Sequence, residues 1–70
     1  NKTYSKIDAK YKEEYVVYGD TLWSISEEEL KYNKYFENKD IRKIVNEIKR
    51  INNLENLNLK EGQKLLIPTY

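Results

Sequence analysis

The chain has 70 residues, with 13 basic and 12 acidic side chains and neither Cys nor His. A chain of this length forms one small domain that buries only about 60% of the surface its unfolded form exposes, which leaves no room for a deep catalytic cleft. Without Cys or His there are no disulfides, no His-based nucleophilic catalysis and no metal ligands other than carboxylates, so neither a metal nor another cofactor is expected.

The charges are interleaved to a net +1, unlike the clustered basic face that nucleic acid requires. The longest apolar run, Leu65-Leu66-Ile67, falls far below the ~20 residues of a spanning helix, so no membrane segment is expected in this chain. A start at Asn1 rather than Met reads as a processed product or a piece of a longer protein.

Asn1 to Glu14 is polar and Lys-rich, without apolar spacing for an element of its own, and reads as a linker or tail (1–14) ahead of a domain over 15–70. Tyr4, Ile7 and Tyr11 have the spacing to dock on that domain. Tyr15-Val16-Val17-Tyr18 has the β-branched and aromatic composition of a short strand, which Gly19 ends. Asp20 or Thr21 can then cap a first helix from Leu22 to Lys31, whose apolar stripe is Leu22, Ile25 and Leu30. Glu27, Glu28 and Glu29 are expected on its solvent side, and Trp23 packed against the second helix.

Tyr32 to Lys39 is a mixed connection whose structure the pattern does not define. Asp40 reads as the N-cap of a second helix, in which Ile41, Ile44, Val45, Ile48 and Ile51 recur at three- and four-residue intervals. Lys43, Glu47 and Arg50 lie on its solvated face. Leu54 to Leu59 mixes leucines with turn formers, Glu61-Gly62 makes a turn, and Gln63 to Ile67 forms a second strand that Pro68 ends. The order gives an α+β fold, a βααβ unit with a two-stranded antiparallel sheet packed against two helices. If Val16, Leu65 and Ile67 point inward, alternation turns Tyr15, Val17 and Leu66 outward as an apolar face suited to the N-terminal segment or to weak self-association.

Catalysis of glycoside hydrolysis needs two carboxyl groups about 5 to 9.5 Å apart across a cleft, one of them buried among apolar groups. The acidic residues here fall on polar faces, so an enzyme is not expected. Two bends suit binding instead. At Gly19 to Leu22 helix N-terminal amides are unpaired, and at Asn53 to Leu57 carbonyls are left over after the second helix. A shallow groove between them could hold an amide-bearing sugar through main-chain groups.

Gly19-Asp20-Thr21-Leu22-Trp23-Ser24-Ile25, the helical pattern ending in Ile51-Asn52-Asn53-Leu54, and Gly62-Gln63-Lys64-Leu65-Leu66-Ile67-Pro68 together resemble a LysM domain over Val16 to Pro68. The resemblance implies the same βααβ fold and non-catalytic binding of N-acetylglucosamine-containing glycans, either peptidoglycan or chitin-like oligomers. It also implies an extracellular or cell-wall location for a parent protein that it anchors, with or without a membrane anchor elsewhere. Carried over by position, the carbohydrate-binding residues are Gly19, Asp20, Thr21 and Leu22, and less closely Asn53, Leu54, Glu55, Asn56 and Leu57.

Plainer roles stand beside these: Gly19 as a backbone residue, Asp20 and Thr21 as caps, Leu54 and Leu57 as satellite core, and Asn52, outside that set, as a turn-stabilising amide. Glu14 departs from the pattern, standing where the family usually has an aromatic or aliphatic residue. The run Asp40 to Ile48, with the polar stem before it, also resembles the outer portion of single-pass bacterial envelope proteins that restrain cell division. That resemblance implies a protein-interaction or regulatory ectodomain as the alternative.

Overall fold

A computed structural model describes residues 10–70. Its elements are β1 (Lys10–Tyr15), α1 (Leu22–Tyr32), a single 3-10 turn at Lys34–Phe36, α2 (Ile41–Ile51) and β2 (Lys64–Thr69). The strands pair antiparallel, Lys10 opposite Thr69 through to Tyr15 opposite Lys64. Val16, Leu22, Phe36, Ile44, Val45, Ile48, Leu65 and Ile67 form one core, flanked by Ile25, Leu30, Tyr35, Ile41, Leu54 and Leu59. This is the expected α+β, βααβ arrangement.

Both helices form where the sequence places them. Thr21 caps α1: its hydroxyl accepts the Ser24 N–H at 3.0 Å and Ser24 Oγ accepts the Thr21 N–H at 2.9 Å, a reciprocal capping box. Asp40 caps α2, its carboxylate accepting the Arg42 N–H at 2.8 Å. The Arg42 guanidinium also holds the Asp40 carboxyl below the usual carboxylate range.

The first strand is a correction. It lies at Lys10–Tyr15, not at Tyr15–Tyr18, so residues 10–14 belong to the sheet rather than to a linker. Val17 and Tyr18 leave the pairing because Val17 C=O accepts the Asp20 N–H at 3.0 Å across a tight turn with Gly19 at φ +88°, the conformation a type II turn needs at its third residue. Residues 1–9 of the expected tail, with Tyr4 and Ile7, lie outside the described residues.

Pro68 does not end the pairing either. It stands opposite Tyr11 within β2, where alternation points its missing N–H away from β1, so no ladder bond is lost. Its carbonyl accepts the Asn33 side-chain N–H at 2.9 Å.

Two side chains differ from expectation. Glu29 is buried, not on the solvent side, because Leu22, Ser26 and Glu29 share the inward stripe of α1. There its carboxylate pairs with Lys12 Nζ at 3.0 Å and accepts from Asn33 Nδ2 at 2.9 Å. Trp23 is 48% exposed instead of packed in the core. Phe36, from the connection with no defined pattern, fills the core and is fully buried. Val16, Leu65 and Ile67 point inward and Tyr15 is exposed, as expected, whereas Val17 is exposed in the turn beyond the strand, Leu66 is only half-buried, and Pro68 beside it is buried.

Candidate functional site: two bends tied to one strand

The first bend follows from glycine chemistry. Gly19 at φ +88° has no atom of the described residues near the position a Cβ would take, so glycine is needed there for its backbone angle. Asp20 folds back over the turn, its carboxylate accepting the Val17 N–H at 3.1 Å. A second turn repeats the device: Lys60 C=O accepts the Gln63 N–H, Gly62 sits at φ +83°, and the Gln63 side chain accepts the Lys60 N–H at 2.8 Å.

The two turns are joined. Val16 N–H donates to Gln63 C=O at 2.9 Å and Gly62 N–H donates to Val16 C=O at 2.7 Å. Two residues thus oppose one, a bulge led by a glycine of positive φ. The Gly-Asp and Gly-Gln motifs signal the two turns in the sequence, but not the joint between them.

The second bend is built by the end of α2. Asn53 takes the left-handed conformation at φ +54°, its N–H donates to Arg50 C=O at 3.2 Å, and Leu54 N–H donates to Lys49 C=O at 3.0 Å. These are the two bonds of a Schellman cap with Asn in the usual glycine position. Asn52, read as a turn-stabilising amide, has that role. Its Nδ2 donates to Ile48 C=O at 2.8 Å and Leu66 C=O at 2.9 Å, and its Oδ1 accepts the Leu66 N–H at 2.8 Å.

One bend is therefore fastened to Gly62-Gln63 and the other to Leu66. Leu66 lies three steps along the strand from Gln63, about 10 Å at 3.3 Å per residue. Around the first bend Gly19 and Thr21 are exposed, Asp20 is half-buried, and the Leu22 side chain lies in the core, so Leu22 can offer only main-chain atoms. Around the second, Asn53, Glu55, Asn56 and Leu57 are exposed, and Leu54 packs against the core.

Among the described residues the N–H groups of Leu22 and Trp23, and of Glu55, Asn56 and Leu57, have no hydrogen-bond partner. Half-exposed Trp23 flanks the first bend, a placement the periodicity missed because position 23 sits beside the apolar stripe. Elsewhere, two shallow hollows of about 300 Å³ run along the outer side of α1. One is lined by Ser24, Glu27, Glu28, Lys31 and Tyr32, the other by Leu30 to Lys34 with Glu37, and neither includes a residue of the two bends. Among the described residues no cluster of acidic side chains could hold a metal ion, and no helix is long and apolar enough to cross a membrane.

A family model described as the LysM domain matches residues 15–28 and 39–68. Both bends and both helix caps fall within the matched segments, whereas residues 29–38, which supply Glu29, Asn33 and Phe36, fall between them. No curated protein and no solved structure matches the chain at a significant level. LysM domains are glycan-binding modules, generally non-catalytic, and are typical of extracellular and cell-wall proteins. With more than half of its residues matched and its β-α-α-β order agreeing, the chain belongs to the LysM domain family.

Proposed function

We propose that this domain holds its parent protein on bacterial cell-wall peptidoglycan by gripping N-acetylglucosamine units between the bends at Gly19 to Leu22 and Asn53 to Leu57. The observation that supports it is the fastening of both bends to β2, with unpartnered main-chain amides on each. An N-acetyl sugar offers a carbonyl, an N–H and a methyl group, which main-chain groups flanked by Leu57 and Trp23 can meet without an ionised side chain.

Few charge-assisted bonds imply modest single-site affinity, a Kd of about 100 μM or about −5.5 kcal/mol. Repeated sites along a glycan strand raise retention through effective concentration. Chitin-like oligomers present the same sugar and would compete for the same bends.

Sedimentation with purified, protein-free peptidoglycan tests the proposal. The domain should co-sediment and be released by soluble N-acetylglucosamine oligomers. Retention only when a division protein is added would favour the alternative of a regulatory envelope ectodomain.

A further inference from the structure

The two outer edges of the sheet differ. Along β2 side-chain amides close the outward main-chain groups of Leu66 and Pro68, Asn52 covering the N–H and C=O of Leu66 and Asn33 the C=O of Pro68, while those of Lys64 have no partner among the described residues. Along β1 the pattern is opposite. Val16 directs its N–H and C=O to β2, so alternation turns Lys10, Lys12 and Glu14 the same way and points the main-chain groups of Tyr11, Glu13 and Tyr15 outward. Among the described residues those groups have no partner, and the turn at Val17 closes the edge beyond them.

We propose that this open edge pairs antiparallel with β1 of a second copy, giving a four-stranded sheet across a two-fold axis. Three outward residues allow three symmetric registers with at least two of them engaged. Centring on Glu13 engages all three and sets Tyr11 opposite Tyr15 of the second copy and Lys12 opposite Glu14, each twice. Shifting one step either way sets Lys12 against Lys12, or Glu14 against Glu14. Opposite charges and aromatic pairs across strands stabilise a sheet and like charges oppose it. The register centred on Lys12 also sets Lys10 opposite Glu14 twice. Charge complementarity therefore favours a second copy as the occupant, while the two aromatic pairs and the fuller ladder select the register centred on Glu13. The remaining like pair, Glu13 with Glu13, is moderated by Lys64, whose Nζ lies 3.6 Å from Glu13 on the same face. The pairing is independent of glycan binding, and it would place two sets of bends on one particle.

Sedimentation velocity of the full chain from micromolar to millimolar concentration, with amide shifts followed by NMR on dilution, tests this. The expected result is a monomer–dimer equilibrium whose concentration-dependent shifts centre on Tyr11, Glu13 and Tyr15. Glu13→Pro removes an N–H that β2 does not use, so two ladder bonds are lost per dimer and association weakens roughly 10- to 100-fold. Glu13→Gln relieves the like-charge pair and should tighten association roughly threefold. Unchanged thermal unfolding of Glu13→Gln excludes a folding effect.

A monomer at every concentration overturns the proposal, as does a dimer insensitive to both substitutions. A monomeric chain whose Tyr11, Glu13 and Tyr15 amides are protected from exchange assigns the edge to another segment of the same chain, and overturns it equally.

Discussion

The side-chain amide of Asn52 donates to two carbonyls and accepts one N–H, supplying β2 with the hydrogen bonds a third strand would give. Asn52→Ala leaves the half-buried N–H and C=O of Leu66 unpaired. It should cost about 2–3 kcal/mol, visible as a lower urea midpoint at unchanged slope. Ser26 presents the reverse case. It is fully buried on α1 and its hydroxyl has no partner among the described residues, so Ser26→Ala should raise stability by about 1 kcal/mol in the same assay.

Tyr35 donates its phenol proton to Glu47 at 2.7 Å. That bond, with burial and the Glu47 charge, pushes the phenol up from 10.0 to about 12. The folded state therefore favours the neutral phenol. Its contribution to stability is complete below pH 10 and is lost as pH rises through about 12. Phenolate absorbance should show one tyrosine titrating late, and Tyr35→Phe should flatten the alkaline decline in thermal stability.

At the scale of elements, β1 is held to the helices through charge. Lys12 reaches from the strand to Glu29 on α1, which in turn accepts from Asn33, whose amide holds Pro68 of β2. Burial draws the Lys12 pKa down, but the hydrogen bond and attraction of Glu29 outweigh it, and the ammonium titrates above its ordinary 10.5. Lys12→Met strands a buried carboxylate and should cost about 2 kcal/mol, less than for a fully buried pair because Lys12 is partly exposed. The double change with Glu29→Gln, which still accepts from Asn33, should recover most of that loss in denaturant unfolding.

The same linkage explains why β1 was hidden in the sequence. Its inward positions are Lys12 and Glu14 instead of apolar residues, so the period-two signal is missing where the strand is, while the richer β composition of Tyr15 to Tyr18 falls on a turn. Helix α2, with five isoleucine and valine positions at regular spacing, was legible to the residue. Phe36 and Asn33 were not, because one 3-10 turn is too short to show a period and its place depends on contacts distant in sequence.

Across the whole molecule, the order of elements, the inward residues Val16, Leu65 and Ile67 and the two glycine turns could be read from the chain, because each follows from local geometry. What could not be read was how the turns are fastened. The Val16 bulge joins residues 46 and 47 positions apart, Gly62 and Gln63, and the Asn52 bridge to Leu66 joins residues 14 positions apart in the chain. Those long-range bonds fasten both bends to β2, and the proposed carbohydrate site depends on them.

The most direct measurement is a titration with N-acetylglucosamine oligomers of increasing length, following backbone amides by NMR. The account predicts saturable shifts at Gly19 to Leu22 and Asn53 to Leu57 together, strengthening with chain length, and smaller for Asp20→Ala, which loses the turn closure at Val17. Shifts confined to the outer sheet face or the hollows along α1, with the two bends silent, would contradict it.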